Sequence, residues 1–249
     1  MTSATPGWRG FAERCGWFGP GDARTVDRIL LALLAVYAVS FFAFYPEIAT
    51  NDDEAMYLRQ AQLVLRGSAT ITQIDPTTRE AVETYPSTYA PGTAFLMAPF
   101  VAAFGERGAF VVPMLSLLAA VWITARWIRE AGGSPFFALV LLGFPPALVM
   151  ARVAMSDVPS TAIAALGAWL FWRGQDRQPG WWLGAGFVAG ASFAVRASNP
   201  VLFVPLFAGA VLRREWKCWA LVVGGLAGLA ARALAMHVYF GSALFERSA

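Results

Sequence analysis

Charge is scarce in this sequence. Only 14% of its 249 residues are Asp, Glu, Lys or Arg, and 57% are hydrophobic. Soluble domains carry about 25% charged and about 45–50% apolar residues, so a soluble globular domain is excluded. Cysteine is nearly absent. Cys15 and Cys218 stand alone, outside any CxxC or Cys/His cluster, which argues against a metal or redox centre. Histidine is rarer still. The single one, His237, is a candidate proton carrier, though an isolated histidine at an interface is usually incidental. No internal repeat or low-complexity segment is present. No small-residue cleavage pattern follows the first apolar run, so that run reads as a retained span and not as a secretory signal. The net charge of +3 is no nucleic-acid signal.

What is abundant is long apolar sequence. Runs cover residues 29–45, 92–104, 109–127, 135–155, 158–172, 181–195, 201–212 and 219–239. A helical span needs about 20 mostly apolar residues, so the chain has room for roughly six to eight. The run at 92–104 is short, a length typical of re-entrant or interfacial helices. Charge decides its role. If 92–104 does not cross, one side of the membrane collects eleven of the 19 basic residues: Arg9, Arg14, Arg24, Arg28, Arg126, Arg129, Arg173, Arg177, Arg213, Arg214 and Lys217. Six acids share that side and leave it at +5, against −2 opposite, consistent with the total of +3. If 92–104 does cross, these clusters scatter and the positive-inside rule fails repeatedly. The expected fold is therefore all-α integral membrane. It has about seven transmembrane helices and two juxtamembrane helices in the first outer loop, with the N-terminus cytoplasmic and the C-terminus outside. Both cysteines then lie on the reducing side, where no disulfide is expected. The whole chain, 1–249, reads as a single membrane domain whose outer loop spans 47–107.

That loop opens with a helix. Asn51 and Asp52 are capping residues, Asp53 and Glu54 suit a helix N-terminus, and Gly67 closes it. Met56, Leu58, Ala61, Val64 and Leu65 form an apolar stripe, which predicts a helix lying on the membrane surface. Residues 68–89 are Thr-, Pro- and Tyr-rich and read as loop. The charge-derived topology sets Asp157, in Ser156-Asp157-Val158-Pro159, on the same outer face as Asp53. Paired carboxylates suit a general base and an orienting group, although each acid alone is also an ordinary helix start. Arg152, Arg196 and Arg232 sit near outer span ends. Their planar forks suit a phosphate; the plainer alternative pairs Arg152 with Asp157 and lets Arg196 snorkel. Tyr57, Tyr85 and Tyr89 either stack on a sugar or anchor at the interface.

Four segments together resemble the GT-C glycosyltransferases that use polyprenyl-phosphate sugars, the superfamily of protein mannosyltransferases and lipid A aminoarabinose transferases. They are Asp53-Glu54-Ala55-Met56-Tyr57-Leu58, Tyr85-Pro86-Ser87-Thr88-Tyr89-Ala90-Pro91-Gly92, Arg152-Val153-Ala154-Met155-Ser156-Asp157-Val158-Pro159, and Ala194-Val195-Arg196. The resemblance covers roughly residues 29–200. It implies that 92–104 is a juxtamembrane helix and that the chain transfers sugar with inversion on the outer face of the plasma (inner) membrane. The donor would be a polyprenyl-phosphate-linked sugar. The acceptor would be a lipid, glycan or protein. By the same resemblance Asp53 and Asp157 are catalytic, Asp53 as the base. Glu54, Tyr57, Tyr85, Tyr89, Arg152, Arg196 and Arg232 bind substrate. No metal ligand set is implied, and a divalent cation held by Asp52, Asp53 and Asp157 stays open. The family continues well beyond this length, so the C-terminal part usual in it is expected to be absent. A lipid or sugar-lipid transporter and a non-catalytic membrane scaffold are the competing readings.

Overall fold

The computed structural model describes residues 23–84, 89–175, 178–212 and 216–240. The described chain is mainly helical: α1 (Ala23–Ala43), α2 (Asp52–Arg66), a two-stranded sheet of β1 (Ile71–Ile74) and β2 (Ala81–Thr84), α3 (Gly92–Phe104), α4 (Val111–Glu130), α5 (Val140–Gly143), α6 (Pro145–Met150), α7 (Asp157–Gly174), α8 (Gly180–Ala191), α9 (Val204–Leu212) and α10 (Cys218–Phe240). Among the described residues, three helices are long and apolar enough to cross a membrane, at Thr25–Ala43, Glu106–Glu130 and Cys218–Tyr239. They carry the exposed apolar side chains a bilayer demands. Val36, Val39, Leu226 and Val238 are each more than 60% exposed, a wasteful placement in water and the expected one in lipid. The chain is a multi-pass membrane protein.

Ion pairs and hydrogen bonds define two poles. At one, Arg129 near the end of α4 pairs with Asp27 near the start of α1, and Arg173 at the end of α7 pairs with Glu130 at 2.9 Å. The Arg173 guanidinium also lies 4.6 Å from the Trp169 ring and 4.5 Å from the Trp181 ring. There the Lys217 ammonium donates to the Gln175 carbonyl. At the other pole, Arg196 pairs with Asp157 at the start of α7. The Tyr239 hydroxyl near the end of α10 donates to the Ser68 carbonyl, and its ring meets Phe95 edge-on at 5.1 Å. Helices α1 and α10 thus run from a basic pole toward the pole that gathers the candidate acids, and α4 and α7 run the other way.

Local chemistry explains the breaks. Pro145 and Pro146 cannot donate to the preceding turn, and the apolar run at 135–155 becomes a 3-10 turn followed by α5 and α6 instead of one helix. Residues 199–203 likewise form a 3-10 turn before α9. Helices α8 and α10 pack backbone to backbone through small residues, as membrane helices often do. A Cβ on Gly186 would stand 2.0 Å from the Leu221 carbonyl oxygen, and one on Gly224 2.0 Å from that of Leu183.

Two expectations change. The segment after α2 is not all loop: Ile71 to Ile74 pair antiparallel with Ala81 to Thr84. The β-branched Ile71, Thr72 and Ile74 support the extended form, and Asp75 closes the turn by accepting from the Thr77 and Thr78 amides. The described fold is therefore helical with one short hairpin, not purely α. The apolar face of α2 is also used differently. Tyr57, Leu58 and Ala61 are buried, packed with Ala94, Met97 and Val101 of α3 and with Phe110 and Met114; Leu63 is buried too, while Leu65 is left exposed. Protein, as well as any lipid, covers that face.

Candidate active site

Three helices begin at the acidic pole: α2 at Asp52, α3 at Gly92 and α7 at Asp157. Helix N-termini present free N–H groups and a partial positive charge, so the site is built where anions are welcome. Asn51 starts α2 as the sequence predicts, its side chain accepting from the Glu54 amide at 2.9 Å. Gly67, at φ 65°, ends the helix.

The neighbouring acids of α2 diverge. Asp53, half-exposed, accepts at 2.7 Å from the Tyr89 hydroxyl, which arrives just before α3. Glu54 turns inward and is fully buried. Its Oε2 accepts from the Thr50 amide at 2.5 Å and the Thr50 hydroxyl at 2.8 Å, and its Oε1 from the Ala154 amide at 2.7 Å. Four residues after Asp53, the Tyr57 hydroxyl donates to Ser156 Oγ at 3.0 Å. The Tyr57 and Tyr89 rings stack at 5.2 Å and 20°. Asp53, Tyr89, Tyr57, Ser156 and Asp157 therefore form one continuous string of contacts.

The tyrosines report the electrostatics. Burial pushes the Tyr57 hydroxyl above its ordinary range; the bond to Ser156 and the charge of Arg196 oppose this, and the charges of Asp157 and Asp53 add to it. The Tyr89 hydroxyl is raised first by its bond to Asp53. Asp53, Asp157 and Arg196 thus all act on a single side chain. Both tyrosines stay neutral near pH 7 and serve as donors.

The arginines divide. Arg196 pairs with Asp157, taking the partnership that the sequence alternative assigned to Arg152. Arg152 instead lies 5.5 Å from the Phe41 ring, and Arg232 lies 5.7 Å from the Phe193 ring with its Nε buried and unbonded. Among the described residues neither of these two makes an ion pair. Tyr85 lies outside the described residues. No group of three or more His, Cys, Asp and Glu side chains that could hold a metal occurs among the described residues.

Sequence reasoning missed Ser156, Thr50 and the Ala154 amide as parts of the site. Ser156 sits beside Asp157 and carried only the signal of a helix start; the other two are visible only through the buried Glu54. Below the pole, a shallow, open apolar groove of about 280 Å³ lies between α3, α4 and α7, lined by Leu96, Phe100, Val112, Leu115, Pro159 and Ile163 among others. Pro159 is two residues from Asp157.

No family model and no curated protein matches this sequence. The fold does have a solved counterpart. The structure aligns with the crystal structure of ArnT from Cupriavidus metallidurans bound to undecaprenyl phosphate, at a TM-score of 0.65 and 17% sequence identity. The match covers 88% of this chain and 44% of the ArnT chain. The GT-C resemblance read from the sequence therefore holds for the fold, over less than half the length of that protein.

Proposed function

We propose that the chain is a membrane glycosyltransferase of GT-C type, moving a sugar from a polyprenyl-phosphate donor to an acceptor, with inversion, at the outer face of the inner membrane. The observation that carries this reading is the string from Asp53 through Tyr89, Tyr57 and Ser156 to Asp157, closed by Arg196. What supports it is that, in a fold shared with a protein solved with undecaprenyl phosphate, two carboxylates and a guanidinium all act on the Tyr57 hydroxyl.

The chemistry is a single displacement. Asp53, held through one oxygen by Tyr89, takes the proton from an acceptor hydroxyl or amine as that atom attacks the anomeric carbon. The new bond to the anomeric carbon forms as the bond from that carbon to the phosphate oxygen breaks, and the lipid phosphate leaves with the electron pair. Arg152 and Arg232, which like several other arginines have no carboxylate partner among the described residues, would hold its charge. Asp157 orients the acceptor. The open apolar groove beside Pro159 offers a surface for the start of an isoprenoid chain. Seven passes, counting the broken segment at 135–150 and the segment at 199–212, accord with both the charge split and the two poles. By the positive-inside rule, the basic pole is then the cytoplasmic one.

The test is turnover of undecaprenyl-phosphate-linked sugars by the purified protein in proteoliposomes. Release of undecaprenyl phosphate that depends on an acceptor supports the reading. Asp53→Asn should abolish it while leaving expression and insertion intact, and retained turnover in that variant would count heavily against the assignment. Movement of labelled lipid with the sugar bond intact would mark a transporter.

A further inference from the structure

Glu54 is the one acid among the described residues with no exposed surface. A buried carboxylate is tolerated only when hydrogen bonds replace its lost hydration, and here three donors do so. Two belong to Thr50, just before α2. The third is the amide of Ala154, one hundred residues away and three before Asp157. The segment from Ala151 to Ser156 is a run of turns and bends without regular helical bonding, and it needs an external anchor. Ala151 and Ala154 are buried in it, so the anchored turn is seated in the core.

We infer that Glu54 is a positioning residue, a buried carboxylate strut that sets where Asp157 stands relative to Asp53. This differs from the substrate-binding role that the GT-C resemblance implies, because neither carboxylate oxygen faces solvent. The geometry makes the carboxylate specific. Every group around it donates, so an amide in its place must turn its NH₂ toward either the Thr50 amide or the Ala154 amide. Either choice sets donor against donor. The two catalytic carboxylates lie on separate helices, and a misplacement of about 1 Å can cost roughly 100-fold in rate. The inference rests on Asp53 and Asp157 being the working pair, and its test separates the two ideas.

Spin labels at Arg59→Cys on α2 and Thr161→Cys on α7, both exposed positions, report the separation of the helices in a Cys15→Ser, Cys218→Ser background. The strut predicts a narrow distance distribution in this parent, a broadened or shifted one in Glu54→Gln, and a smaller change in Thr50→Val, which removes one donor of three. In the turnover assay Glu54→Gln should lower kcat roughly 100-fold with KM for the lipid-linked sugar unchanged. Unchanged distances in both variants overturn the strut. A raised KM with unchanged distances instead makes Glu54 a substrate ligand. If Glu54→Gln does not fold, Thr50→Val decides alone. If even the parent turns nothing over, the glycosyltransferase reading fails while the distance arm still judges the strut.

Discussion

The Tyr89 hydroxyl donates to Asp53 Oδ1 at 2.7 Å across 36 residues of sequence. This bond fixes the side chain of the proposed base and leaves its second oxygen for a proton. Tyr89→Phe keeps the ring that stacks on Tyr57 and removes only the donor. The expected outcome is a fall in kcat of up to about 100-fold, because the base is less well positioned, with little change in thermal stability because both groups are partly exposed. Turnover and unfolding in detergent measure the two.

Asp157 and Arg196 form the second polar link of the site. Their side chains are 35% and 44% exposed, and ion pairs at such exposure contribute up to about 1 kcal/mol. Asp157→Asn and Arg196→Gln should therefore each cost no more than that in stability, yet each should abolish transfer. The charge-swapped double variant, Asp157→Arg with Arg196→Asp, should restore the pair's coupling in the cycle, less the cost of a cation at the start of α7, and none of the turnover. A double-mutant cycle on the unfolding midpoint, run beside the assay, checks both halves.

How much of this was legible beforehand depends on which residues are asked about. The first turn of α2 was readable because Asn51, Asp52 and Gly67 act locally, and α3 appears over the very residues of the short apolar run. Asp53 and Asp157 could be placed on one face because charge asymmetry is a property of the whole chain. The hairpin at β1 and β2 was not readable, since four-residue strands amid Thr and Pro carry too little alternation. The partner of Asp157 was not readable either. Choosing between Arg152 and Arg196 depends on where the end of α8 meets the start of α7, a tertiary fact. The inward turn of Glu54 was hidden for the same reason. Adjacent acids look alike in sequence, and only helix rotation separates the wet one from the buried one.

Tyr57 supplies a pH dependence. Burial raises its folded-state value above the unfolded value of about 10. The folded state then holds the proton more tightly than the unfolded one. The stabilisation is complete below the unfolded value and is lost as pH rises through the folded value. Stability should accordingly fall as pH is raised above about 10, and Tyr57→Phe should flatten part of that slope. Unfolding midpoints across alkaline pH, with tyrosinate absorbance followed in parallel, measure it. A slope identical in Tyr57→Phe and parent would show that this hydroxyl is not among the groups responsible.

Gly92 opens α3 where backbone meets backbone. A Cβ there would lie 2.3 Å from the Ala194 carbonyl oxygen and 2.8 Å from the Val195 amide nitrogen, too close for either segment to yield by a side-chain rotation. Thr93 adds a hydrogen bond to the Val195 carbonyl at 3.4 Å, so the start of α3 is docked on the strand of chain that leads into Arg196. Gly92→Ala must push the two apart, at a cost of about 1–3 kcal/mol typical of overpacking. Gly184→Ala is the control. Its Cβ would meet Leu170 Cδ1 at an ordinary 3.7 Å, and an Ala within a helix is favoured over Gly by about 1 kcal/mol. The first variant should melt earlier than the parent and the second at or above it. Because Tyr89 stands three residues before Gly92, the displacement should also loosen Asp53. Turnover in Gly92→Ala should therefore drop further than its loss of stability alone would produce at a temperature where the variant remains folded.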